Sequence, residues 1–119
     1  MLVDTSVWVD HLRRRNATLV ELLEQAQVCT HDFVIGELAC GNLAQRQQFL
    51  DSLAALPRVP AASHDEVLAF VASRRLMGRG LAWVDMHLLA AAVLAKMPLW
   101  TVEKRLSTIA QELGAHFQN

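Results

Sequence analysis

The chain has 119 residues, 53% hydrophobic and 19% charged, with eleven Lys and Arg against twelve Asp and Glu. That length fits one domain, residues 1–119, with a sizeable core. The composition excludes disorder and any broad basic field that would hold nucleic acid by charge alone. The longest apolar run, residues 88–95, is too short to cross a bilayer, so no membrane partner is expected. Asp4 stands where a signal peptide carries basic or apolar residues. Cys29 and Cys40 have no CxxC spacing and read as small core residues in a reducing cytoplasm.

Met1, Leu2 and Val3 read as a short buried strand that opens at Asp4 directly into a helix. Val7, Trp8, Val9 and Leu12 give that helix an apolar stripe, and Arg13-Arg14-Arg15 suits its C-terminus. Thr18 and Glu21 have the spacing of a capping box, and residues 27–30 read as a second strand. Asp32 is the expected cap of a helix reaching about Cys40, stopped by Gly41-Asn42. Residues 44–55 form the next helical pattern, and Pro57 and Pro60 bracket a brief extended piece. Ser63 and Glu66 spell a second capping box, for a helix to about Met77. Gly78-Arg79-Gly80 marks a turn. Asp85 opens an Ala/Leu-rich helix to about Lys96, residues 99–102 form a strand, residues 104–113 a last helix, and residues 115–117 a final strand. Short apolar strands alternating with helices predict an α/β/α sandwich with a short-stranded, mostly parallel central sheet.

Four acids stand in apolar surroundings: Asp4, Glu37, Asp85 and Glu103. Asp4 and Glu103 fall at the carboxyl ends of predicted strands, where open parallel sheets bind ligands, and Asp85 at a helix start can face the same crevice. Carboxylates gathered in one pocket repel one another, so they take up protons or bind a cation. Oxygen-only ligands favour Mg²⁺, with Mn²⁺ as a substitute, over zinc, and such an ion suits phosphoryl chemistry. Each acid also has a plainer role open to it. Asp4 and Asp85 would serve as helix caps, Glu37 as a solvated helix residue, and Glu103 as an exposed acid favoured by a helix dipole.

The five histidines form no HxxxH or HExxH pair and read as surface or satisfied polar residues. Trp8, Trp83 and Trp100 read as core or interface anchors. No GxSxG elbow or Gly-rich phosphate loop is present.

Four segments carry a resemblance. The opening Met1-Leu2-Val3-Asp4-Thr5-Ser6-Val7-Trp8-Val9-Asp10 resembles the start of PIN-domain ribonucleases, closest to the VapC toxins of bacterial VapBC toxin–antitoxin pairs. Residues 35–41 around Glu37, 78–92 around Asp85 and 99–106 around Glu103 resemble the family's other three motifs, in order and over nearly the whole chain. The resemblance implies a PIN-like fold and a Mg²⁺-dependent endoribonuclease that hydrolyses RNA and inhibits translation. By carry-over, Asp4, Glu37, Asp85 and Glu103 are catalytic. Asp4 and Asp85 hold the metal, and Glu37 and Glu103 do so directly or through water. Thr5 and Ser6 supply hydroxyls that orient water or phosphate. Relatives commonly have Asp at the position of Glu103, which keeps the charge and adds a methylene. The resemblance also implies a cognate VapB antitoxin lying in an apolar groove over the site, a homodimer, larger toxin–antitoxin assemblies and a cytoplasmic setting.

Setting the four acids aside leaves eight acids against eleven bases, a remainder of +3. Arg13, Arg14, Arg15, Arg74, Arg75, Arg79, Lys104 and Arg105 are therefore candidate contacts to an RNA backbone, or simply solvated helix ends. A phospho-receiver domain has similar length and acids, but residues 56–60 offer no strand-end Asp to accept phosphate. An RNA-processing PIN nuclease without an antitoxin and an inactive PIN-fold binding module are the remaining alternatives.

Overall fold

The computed structural model describes residues 1–117; positions 118 and 119 of the expected domain lie outside the described residues. Its centre is a parallel pair, β1 (Leu2–Val3) and β2 (Leu99–Trp100), in the register Leu2 opposite Leu99 and Val3 opposite Trp100. Single parallel bridges extend the pair on both sides. Cys29 joins Leu2, Arg58 joins Thr30, and His116 joins Leu99. The extended segments therefore run, across the sheet, 57–59, 28–30, β1, β2, 115–117. The predicted strands at 27–30 and 115–117 are present as these bridges, too short for a ladder.

This order places the first and fourth extended segments side by side, so the chain's direction of winding reverses between β1 and β2. Such a switch point leaves a crevice beyond the carboxyl ends of the two central strands. Asp4 and Thr101 sit there. The Asp4 N–H donates to the Trp100 carbonyl at 2.9 Å, which fixes Asp4 beside the last rung. Right-handed crossovers put the helices before the switch on one face and those after it on the other.

The first group is α1 (Thr5–Arg13), α2 (Ala17–Glu24), α3 (Asp32–Ala39) and α4 (Arg46–Ala54). The second is α5 (His64–Ser73), α6 (Trp83–Leu94) and α7 (Lys104–Glu112). The main helix pairings, α1 with α3, α3 with α4 and α5 with α6, stay within these groups. Residues 86–92 of α6 are all buried. A helix apolar on every side belongs in the middle of a core, and Ala90, Ala91 and Ala92 let it lie close to the sheet. No helix among the described residues is long and apolar enough to cross a membrane.

Several boundaries differ from the sequence expectation. Asn16 caps α2, accepting from the Leu19 N–H at 3.0 Å, so Thr18 is already inside the first turn and forms no box. His31 caps α3 through Nδ1, which accepts from the Phe33 N–H at 2.9 Å; Asp32 follows it in the first turn and pairs with Arg58 at 3.0 Å. The Ser63–Glu66 box forms with both bonds, at 3.1 and 2.8 Å. Helix α5 nevertheless ends at Ser73, short of Met77. Arg75 turns left-handed, and the Leu76 and Arg75 N–H groups reach back to the Val71 and Ala72 carbonyls, closing the helix in a Schellman motif. Gly114, at φ +71°, ends α7 the same way, as its position implied. Cys40 is exposed, contrary to the core reading, because it follows the last turn of α3; Cys29 is half-buried, and both thiols are free.

Candidate active site

The crevice at the switch point is a hollow of about 390 Å³, and all four predicted acids line it. They arrive from four separate places: the end of β1, the middle of α3, the first turn of α6 and the residue before α7. Asp10 and Arg13 also line it. They share one face of α1 with Ser6, at i+4 and i+7.

Asp4 is 4% exposed. It occupies the N-cap position of α1, yet its side chain makes no cap bond, which removes capping as its role. Instead its Oδ2 accepts two hydroxyl protons, from Ser6 Oγ at 2.7 Å and Thr101 Oγ1 at 2.8 Å. Each hydroxyl is itself positioned by a backbone donor. The Val102 N–H donates to Ser6 Oγ at 3.1 Å and the Glu103 N–H to Thr101 Oγ1 at 3.0 Å. A carboxylate accepts only and a hydroxyl has one proton to give, so these bonds use both protons and fix Asp4. Among the described residues no side chain donates to Asp4 Oδ1.

The other three acids are held more loosely. Glu37 is exposed despite its apolar neighbours, and its Oε1 accepts from Thr5 Oγ1 at 2.7 Å. Asp85 is half-buried. Helix α6 starts two residues earlier than expected, so Asp85 is not the cap but the third helical residue, and its Oδ2 accepts from the Ala82 N–H at 3.1 Å. Glu103 takes the N-cap position of α7 without a side-chain cap bond and is exposed. Burial pushes the Asp85 carboxyl above its ordinary range. The Ala82 N–H pulls it back, and repulsion from Asp4, Glu103 and Glu37 pushes it up again. The like-charge crowding expected from the sequence is therefore felt at Asp85.

Among the described residues no three His, Cys, Asp or Glu side chains converge tightly enough to enclose an ion by themselves. The acids line an open bowl. Of the predicted basic residues, Arg13 lines the bowl; Arg79, Lys104 and Arg105 line a neighbouring hollow; Arg14 and Arg15 are exposed beyond the end of α1. Thr101 was not singled out from the sequence. Its position one residue past β2 matters only through the register of β1 on β2, which brings it beside Asp4.

Not every histidine is a surface or satisfied residue. His31 and His87 are 0% and 5% exposed, and His31 Nε2 and His87 Nδ1 are buried without a partner among the described residues. Trp8 and Trp100 are core residues, whereas Trp83 is 39% exposed.

The PIN domain family pattern matches residues 1–112. The chain belongs to the PIN-domain family. It is 50% identical over 115 residues to Ribonuclease VapC32 of Mycobacterium tuberculosis, in strains CDC 1551 and H37Rv alike, covering 96% of this chain and 93% of that protein. The four motif resemblances thus led to the right family, and the PIN assignment accounts for the α/β architecture. The acidic bowl lies at the switch point of a PIN domain, and the buried Thr101 hydroxyl holds Asp4 from behind its lining.

Proposed function

We propose that this chain is a Mg²⁺-dependent endoribonuclease of VapC type, a toxin that hydrolyses RNA phosphodiester bonds and inhibits translation. One observation carries the reading: the four predicted carboxylates, from four segments, line one hollow where the winding of the sheet reverses, with Asp10 a fifth acid in its lining. The similarity to a protein named a ribonuclease supports RNA as the substrate.

The donor set fits a hard divalent cation. It is all oxygen, it is partly buried, and Asp4 Oδ1 has no donor among the described residues. Asp4 and Asp85 would hold the ion, with Glu37 and Glu103 reaching it directly or through water. When bound, the ion lowers the pKa of a water and offsets charge on the phosphate oxygens. Ser6 and Thr101 hold the Asp4 carboxylate in one orientation, so its remaining oxygen needs no rearrangement. Thr5 gives its proton to Glu37 and steadies an otherwise exposed side chain. In this reading Thr5 and Ser6 orient acids first, and water or phosphate through them. Arg13 supplies positive charge at the rim for the RNA backbone.

A cognate VapB antitoxin, a homodimer, toxin–antitoxin hetero-oligomers and a cytoplasmic setting belong to the same proposal. They rest on the VapC likeness. The test is cleavage of cellular RNA by the purified chain with Mg²⁺, with Mn²⁺ and with EDTA, with product ends mapped. We expect cleavage with either ion, none with EDTA, and 5′-phosphate and 3′-hydroxyl ends. Cleavage undiminished by EDTA, or 2′,3′-cyclic phosphate ends, would overturn the reading.

A further inference from the structure

Beside the acidic bowl lies a second hollow, of about 300 Å³, with Arg79, Lys104, Arg105 and Thr108 in its lining. The two hollows adjoin along one stretch of chain. Val102 and Glu103 line the acidic one; Lys104 and Arg105, the next two residues, line the basic one. The sign of charge therefore reverses across a single peptide bond at the start of α7.

The basic hollow has positioned cations. Gly80 has φ +84°, a conformation that favours glycine, and the Arg105 side chain lies against its bare Cα. A Cβ at Gly80 would fall 2.5 Å from Arg105 Nη1 and 3.2 Å from its Cδ and Cζ, so the turn at 78–80 is a seat for this guanidinium. Arg79 Nη2 is bound to Glu112 Oε2 at 2.7 Å, which fixes its direction and offsets part of its charge. Lys104 and Arg105 make no ion pair among the described residues. Two uncompensated cations thus face a hollow that adjoins the acids.

An RNA strand needs such a place. The carboxylates repel every phosphate except one held by a cation, so the backbone flanking the reacting phosphate must find positive charge close by. We infer that the hollow formed by Lys104 and Arg105 over Gly80 is a subsite for a backbone phosphate of the RNA, flanking the one in the acidic bowl. This rests on the ribonuclease reading above. An acidic peptide would suit the cations as well, but the linings follow one another along the chain, Glu103 in one and Lys104 in the other, which favours the strand that enters both. Arg105 presents a planar fork and Lys104 a point charge, so Arg105 sets the geometry of the contact.

The test measures binding apart from cleavage. A fluorescent single-stranded RNA that the wild-type chain binds is titrated with full-length protein in EDTA at several salt concentrations, and its cleavage by wild type is followed separately with Mg²⁺. Loss of one phosphate contact to a single strand removes about 0.7 from the slope of log K against log salt, or about fivefold in affinity at 0.1 M. We expect that change in Arg105→Ala. Arg105→Lys should keep the slope and lose part of the affinity. Replacing phosphates one at a time by neutral methylphosphonate should locate the partner: at one position the replacement weakens wild-type binding and has no further effect on Arg105→Ala. Unchanged affinity and slope in Arg105→Ala, or effects that simply add at every position, would overturn the subsite while the ribonuclease reading stood. Unchanged RNA binding together with weaker binding of an oligoglutamate peptide would make the hollow a protein site and also overturn the inference. Binding with the expected slope change but no metal-dependent cleavage by wild type would leave the phosphate site and overturn the ribonuclease reading instead.

Discussion

Asp4 and Glu103 flank the same crevice and carry the same charge, yet the fold treats them differently. Asp4 is buried, and two hydroxyls with backbone donors of their own hold it in place. Glu103 is exposed and its carboxylate is held by no cap bond, although its own N–H helps to position Thr101. The difference follows from where each lies. Asp4 ends a strand in the middle of the sheet, so neighbouring strands supply partners. Glu103 lies beyond the sheet, at the entrance to α7. A carboxylate fixed in advance loses little freedom when a ligand arrives, whereas a loose one must be ordered at that moment. In the proposed site Asp4 is thus the anchor and Glu103 the adjustable member.

Substitutions should follow that ranking. Asp4→Asn removes the anchor's charge and should abolish cleavage, by more than the roughly 10–100-fold typical of losing an outer partner. Glu37→Gln and Asp85→Asn should likewise remove most activity and growth inhibition while the fold persists. A fully active Asp4→Asn protein would refute the site. Thr101→Val comes next. It keeps the shape but removes one of the two donors to Asp4 Oδ2 and leaves the Glu103 N–H without its acceptor. We expect roughly 10–100-fold weaker Mn²⁺ binding and about 1–3 kcal/mol of lost stability, with Thr101→Ser recovering most of both. Calorimetric Mn²⁺ titration and denaturant unfolding measure the two effects separately. Glu103→Gln should cost less than about tenfold. Equal losses at Glu103 and Asp4 would erase the distinction between anchor and adjustable member.

The four acids were legible because each breaks an apolar run, and a charge retained there needs a reason. The strands were legible as short, largely apolar segments, although the one expected over 99–102 ends at Trp100, but the bridges were not, because pairing at 29, 58 and 116 depends on neighbours distant in sequence. Thr101 was missed for the same reason. Its partner is Asp4, 97 positions away, and only the register of β1 on β2 brings them together. One cap expectation failed where two capping residues were adjacent. His31 displaced Asp32 because an imidazole Nδ1 accepts from the N–H two residues on just as a carboxylate would. Nothing in spacing alone decides between them.

The smallest expected effect is on pH. Burial lowers the His31 pKa below 6.5; Asp32 opposes this and His87 adds to it. The unfolded chain therefore takes up a proton at His31 more readily than the folded one. Its contribution to stability is present above about pH 6.5 and is lost as pH falls below that. Protonation also removes Nδ1 as the acceptor for the Phe33 N–H. His31→Asn keeps a capping oxygen and does not titrate, so its melting temperature should fall less between pH 7.5 and 5.5 than that of wild type. Parallel curves would show that His31 is not a source of acid sensitivity.

The proposed function needs the four acids to act as one cation-binding cluster. Asp85 reports on it, since its charged form is disfavoured by burial and by the other three carboxylates. Asn at position 85 retains an oxygen for the Ala82 N–H, so the helix start is preserved. Thermal melts of wild type and Asp85→Asn, each with EDTA and with Mg²⁺, test the cluster directly. Wild type should gain stability from Mg²⁺, and Asp85→Asn should match or exceed wild type in EDTA and lose most of that gain. A clear drop of Asp85→Asn in EDTA, with its response to Mg²⁺ unchanged, would contradict the cluster and make Asp85 an ordinary structural acid.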